Sequence, residues 1–161
     1  LAEKPVLFTS LFTSFVFDFA LQQSLGGANL SYYILKQLPM PTPQNLEDID
    51  VSIRDETESL RNFLLKRGGE LIWTSHSLDQ LGQKISSTVG EGPFKWDQER
   101  RSQLRAEIDA AVAKAYDLSR EDFEYILDSF EILEEIEQEE YGEYKRKKEC
   151  LNAFDKLEIQ S

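Results

Sequence analysis

The sequence has one cysteine, one histidine and one methionine among 161 residues, and each scarcity closes off a class of chemistry. Cys150 alone cannot form an internal disulfide, and with His76 it cannot complete a four-ligand zinc site, so the expectation is a reducing, cytoplasmic setting. A Ser/His/Asp or Cys/His nucleophile needs a base beside it. The sole imidazole, in Trp73-Thr74-Ser75-His76-Ser77, reads as a surface or half-buried helical residue. Long hydrophobic runs are also missing. The most apolar stretch, Val6 to Leu21, is interrupted by Asp18, falls short of the ~20 residues that span a bilayer, and has no small-residue cleavage site behind it. Bases are in deficit: eighteen Lys and Arg face thirty Asp and Glu, a net charge of -12. That balance repels phosphate at long range and confines any nucleic-acid contact to a local patch or to surface supplied elsewhere. The carboxylates themselves show no Asp-x-Asp-Gly or His-Glu-x-x-His spacing that would gather a metal. Gly26-Gly27 is followed by neither a Lys-Ser/Thr pair nor G-x-G-x-x-G, which leaves a helix stop rather than a phosphate cradle.

What is present, 40% hydrophobic and 30% charged residues, describes a soluble globular chain of one domain or a domain with a small appendage. Because it opens on Leu1 and its one Met is Met40, it reads as a piece of something longer. Residues 1–43 are neutral and rich in Phe, Leu and Tyr. Leu7, Leu11, Phe15 and Phe19, with Phe8, Phe12 and Val16, recur at helical spacing and predict one buried helix that stops at Gly26-Gly27. Pro39, Pro41 and Pro43 then predict an extended exit and an internal boundary. From Gln44 the chain turns acidic and periodic. Ile49, Ile53, Leu60, Phe63 and Leu64 predict a helix interrupted at Gly68-Gly69. A second helix carries Leu71, Trp73, Leu78, Leu81 and Ile85 and ends near Gly90 to Pro93. Asp97 is placed to cap a long helix through Leu104, Ile108, Ala111, Val112 and Ala115. Ser119-Arg120-Glu121-Asp122 has capping-box spacing, so two helices meet at a turn near Asp117. A Glu-rich run, a break at Gly142 and a final helix with Tyr144, Leu151, Phe154 and Leu157 inward complete the reading. The expected class is mainly α, a bundle of five to seven helices with a short extended segment near 28–43.

Three groups of residues could touch nucleic acid. Arg100, Arg101 and Arg105 lie on the long helix, and Lys145, Arg146, Lys147 and Lys148 lie near the end; either group could hold a phosphate. The acids interleaved with them, Glu99, Glu107, Glu143 and Glu149, equally fit an ordinary salt-laced helix. The third group is Asn29, Tyr32, Tyr33, Lys36 and Gln37, since amides read adenine edges bidentately and aromatics pack against sugar or base. These residues could instead cap and pack the end of the first section.

Phe15-Val16-Phe17-Asp18-Phe19, then Gly26-Gly27, then Tyr32-Tyr33-Ile34-Leu35-Lys36-Gln37-Leu38-Pro39-Met40-Pro41 resembles the end of the target-recognition region in large adenine-specific DNA methyltransferases of type IIG restriction-modification and phage-exclusion systems. The second half is similar to their C-terminal helical region through Gly92-Pro93-Phe94-Lys95-Trp96, Arg100-Arg101, Leu104-Arg105-Ala106-Glu107-Ile108-Asp109-Ala110, Tyr116-Asp117-Leu118-Ser119-Arg120-Glu121-Asp122, Tyr125-Ile126-Leu127-Asp128-Ser129-Phe130 and Tyr141-Gly142-Glu143-Tyr144-Lys145. The resemblance implies a parent enzyme that moves a methyl group from S-adenosylmethionine to the exocyclic amine of a flipped adenine, and that meets DNA. Residues 1–43 would end its target-recognition domain and residues 44–161 would form its C-terminal helical domain, abutting an upstream methyltransferase domain. Neither the family's glycine-rich cofactor loop nor its Asn-Pro-Pro-aromatic loop occurs here, so no catalytic, cofactor or metal residue is expected in this chain, and no membrane partner. One departure stands out: relatives tend to carry bases after the position of Phe130, where this chain has Glu131, Glu134, Glu135 and Glu137. An acidic helical module that binds another subunit or a regulator is the alternative reading. An acidic DNA mimic is disfavoured because Lys and Arg interleave with the acids throughout.

Overall fold

The computed structural model describes residues 3–25, 32–53 and 56–160, and among them the chain is mainly helical, as expected. Among the described residues nine α-helices and a small sheet are built around a tenth, long central helix. The stretch expected to be a single helix is two: α1 (Glu3–Phe12) and α2 (Phe15–Ser24), set at 66°. Thr13 and Ser14 divide them. Thr13 Oγ1 donates to the Thr9 carbonyl, and Ser14 Oγ donates to the Leu11 carbonyl while accepting the Phe17 amide at 3.3 Å, so Ser14 ends one helix and caps the next. The pair is not buried all round either, for Phe8 is 47% exposed and stacks on Phe12 at 5.0 Å. The expected stop at Gly26-Gly27 lies outside the described residues, as does Asn29.

Beyond them, α3 (Tyr32–Leu35) leads into the prolines. Pro43 does not prolong an extended exit but opens α4 (Pro43–Glu47), where Thr42 and Asn45 form a reciprocal cap. Proline suits a first helical position because its missing N–H would have no helical partner there. The extended segment falls later, as a hairpin of β1 (Asp50–Ile53) and β2 (Glu56–Ser59), with β3 (Glu158–Gln160) on the other side of β1. Val51 sits opposite Glu58 and Ile159 in this antiparallel sheet and is buried. Ile49 and Ile53 are therefore not part of a helix.

Helix α5 (Leu60–Ile72) runs straight through Gly68 and Gly69. Their missing side chains serve packing rather than a break: a Cβ on Gly68 would overlap Ser10 of α1, and one on Gly69 would lie 2.6 Å from Val89. Trp73 follows α5 instead of belonging to the next helix. After a short 3₁₀ turn at His76–Leu78, helix α6 (Asp79–Val89) begins and ends at Gly90, as predicted. The local signals hold in the second half. Asp97 caps α7 (Gln98–Ala115) by accepting the Arg100 amide at 2.8 Å. Asp117 turns with φ of 54°, Ser119 and Asp122 form the capping box of α8 (Arg120–Asp128), and Gly142, with φ of 74°, ends α9 (Glu131–Tyr141) before α10 (Lys145–Lys156).

Everything from Ala106 to Ala113 is buried, including Glu107 and Asp109, which marks α7 as the bundle's axis. Four alanines in that stretch, at 106, 110, 111 and 113, let α5 and α10 approach it closely. Val6, Leu7, Leu11 and Val16 join Leu64, Val112, Phe123 and Phe154 in one continuous core, so α1 and α2 are packed on the helices that follow Pro43.

Candidate nucleic-acid interface

Carboxylate partners account for four of the seven basic residues in the two clusters, one of them inside the bundle. Asp109 of α7 is 3% exposed. Its carboxylate accepts the Phe15 amide at 3.0 Å and an Arg146 guanidinium N–H at 2.8 Å, with the Cys150 thiol 3.8 Å away. Arg146 also donates to the Ser102 carbonyl at 3.1 Å, and its own amide donates to Glu137 at 2.7 Å. One arginine thus ties α7, α9 and α10 together at the α1–α2 junction. Burial pushes the Asp109 carboxyl above the ordinary aspartate range, against the pull of Arg146 and the Phe15 amide. Burial, with Asp109 alongside, also lifts the Cys150 thiol well above its ordinary value.

Three further members of the two basic clusters are paired at the surface. Arg100 makes two bonds of 2.8 Å to the Glu70 carboxylate. Lys147 pairs with Glu124 and Asp128, and Lys148 with Glu143. For these and for Arg146, the salt-laced helix describes the surroundings.

Arg101, Arg105 and Lys145 differ. They line a cleft of about 820 Å³ bounded by α1, the end of α5, α7, α9 and the start of α10. Among the described residues no carboxylate pairs with Arg101 or Arg105. Arg101 donates to the Leu71 carbonyl at 2.9 Å and lies 3.7 Å from the centre of the Trp96 ring, while its buried Nε has no partner. Desolvation, and then neighbouring Arg105, weaken its hold on its proton. Lys145 reaches Glu149 only at 3.8 Å and stands 5.1 Å from the centre of the Tyr141 ring. Trp96 and Tyr141 are 61% and 50% exposed. The sequence reading found the cations and overlooked these two rings. The short spacings from Trp96 to Arg101 and from Tyr141, across the Gly142 break, to Lys145 were the available signal.

The third group sits elsewhere. Tyr32 and Tyr33 are both 72% exposed, and Lys36 Nζ lies 4.4 Å from the centre of the Tyr32 ring. Lys36 and Gln37 are exposed beside them. The proline segment behind this group is fastened to the far end of α7, where the Tyr116 hydroxyl donates to the Pro39 carbonyl at 2.6 Å.

His76 is exposed, with Nδ1 3.1 Å from Asp79. Among the described residues no single helix is long and apolar enough to cross a membrane. Comparison with protein-family models, with curated proteins and with solved structures finds no match to this chain.

Proposed function

We propose that this chain is the non-catalytic C-terminal part of a site-specific adenine-N6 DNA methyltransferase or restriction enzyme. In this reading residues 1–43 close its target-recognition domain and the helices behind them buttress that unit against an upstream catalytic domain. S-adenosylmethionine belongs to the parent. The observation that carries the reading is the outward row of Tyr32, Tyr33, Lys36 and Gln37 on a segment anchored through Pro39 to Tyr116 at the end of α7. A polar and aromatic row held on a rigid support is what reading a base edge needs. The resemblance of the same residues to a target-recognition end points the same way. In the intact parent, Tyr33→Ala with Lys36→Ala lowers site-specific adenine methylation about tenfold or more, the effect of losing one good base contact. Unchanged rate and unchanged site preference would refute the assignment.

One feature favours the second reading, an acidic module for another subunit or a regulator. Helix α9 buries no residue, carries six glutamates and no Lys or Arg, and leaves Ile132 and Ile136 exposed by 75% and 54%. Its surface suits a basic, partly apolar partner face. Pull-down of the parent's other domains by the chain, compared with an Ile132→Glu, Ile136→Glu variant, tests it. Equal capture by both forms would dismiss α9 as the docking face.

A further inference from the structure

We infer that the cleft between α7, α9 and α10 binds a nucleoside phosphate, with Arg101, Arg105 and Lys145 on the phosphate and Trp96 and Tyr141 beside the base or sugar. The inference concerns a surface on helices that the proposal above treats only as support. Only the case in which the phosphate belongs to DNA rests on that proposal.

Arg101 and Arg105 are one helical turn apart on α7, a spacing at which like charges repel. Elsewhere on these helices guanidinium groups are matched by carboxylates, as Arg67 is by Glu107 at 2.5 Å and Arg120 by Asp155 at 2.9 Å. Here the chain leaves two arginines together without such a match, although it carries thirty acids. Glu137 in the same cleft already accepts the Arg146 amide, and Asp109 is neutralised by Arg146. A backbone amide leaves the charge of Glu137 in place, so Glu99 and Glu137 are the lining carboxylates that face Arg101, Arg105 and Lys145, and the cations still outnumber them. An anion from outside would relieve the Arg101–Arg105 repulsion. The planar fork of each arginine matches phosphate oxygens.

Two aromatic rings make the case for more than a bare ion. Tyr141 lines the cleft beside Lys145, and Trp96, just outside the lining, stands against Arg101. Rings beside cations are how proteins grip a base together with its phosphate. The cleft's volume also falls in the range of small-ligand sites, about 300–1,000 Å³.

The test titrates the whole chain by calorimetry at low salt with adenosine monophosphate, with adenosine, and with a short DNA duplex. Saturable binding is expected for the monophosphate or the duplex and not for adenosine, weakening as salt rises. Arg105→Glu should weaken that binding about tenfold or more while leaving the thermal midpoint in place, because this exposed side chain holds no other element. Lys148→Glu, outside the cleft, should leave binding unchanged. Binding of the duplex alone assigns the phosphate to a DNA backbone. Binding of the monophosphate alone assigns the cleft to a free nucleotide, and counts against DNA in the cleft without touching the Tyr32–Gln37 assignment. Absence of binding to both, equal binding of adenosine, or indifference to Arg105→Glu would each overturn the inference.

Discussion

Asp109→Ala lowers the unfolding free energy by about 3–5 kcal/mol, the cost of stranding a buried partner. The Arg146 guanidinium, with 13% of its side chain exposed, loses the carboxylate it faces at 2.8 Å. The Phe15 amide at the α1–α2 junction loses its acceptor in the same step. A chain of this size has about 5–15 kcal/mol in hand, so the variant is near the edge of folding. Urea unfolding measures the loss. The decisive comparison is Asp109→Leu combined with Arg146→Met, which removes both charges and fills their space. That double change costs less than Asp109→Ala, because exchanging a whole buried pair for apolar side chains is often neutral. If the double variant instead loses as much as the sum of its single changes, Asp109 and Arg146 are not coupled and Arg146 does not act as the tie.

Trp73→Ala removes about 3–5 kcal/mol through the cavity it leaves, and a second substitution shows why the indole is locked. Trp73 is 4% exposed, its Nε1 donates to Asp79 at 2.8 Å, and Phe94 stands edge-on at 6.2 Å. Glycines press on both sides: a Cβ on Gly82 would overlap the indole, and one on Gly92 would approach it to 2.7 Å. Gly82→Ala therefore costs about 1–3 kcal/mol in the native background, as overpacking does. In the Trp73→Ala background the same change is neutral, or stabilising by up to about 1 kcal/mol, since alanine is the better helix former. Additive effects in the four-variant cycle would show that the indole and Gly82 are not in contact.

What could be read before folding was what is local. Asp97 and Ser119 announce their helices because a cap needs only the three residues after it, and Gly142 marks a helix end for the same reason. Ser14 offered a similar signal, but the Leu and Phe periodicity on either side of it reads as unbroken. The hairpin at Asp50–Ser59 was missed because its alternation is short and β1 takes a second partner, Ile159, from the far end of the chain. Gly68 and Gly69 looked like punctuation, yet their reason is contact with Ser10 and Val89, which no nearby sequence reveals. The basic residues of the cleft were legible as residue types. Which of them are spoken for was not, since the partner of Arg100 is 30 residues away and that of Arg146 is 37.

Cys150 makes the innermost seam of this bundle self-reporting. The chain's one thiol is fully buried where α10 lies on α7, and its reluctance to ionise leaves almost no reactive thiolate in the closed form. An alkylating reagent must then wait for the two helices to part. At high reagent concentration the rate of modification becomes the rate of that opening, so the breathing of the seam can be timed on the natural sequence without adding a label.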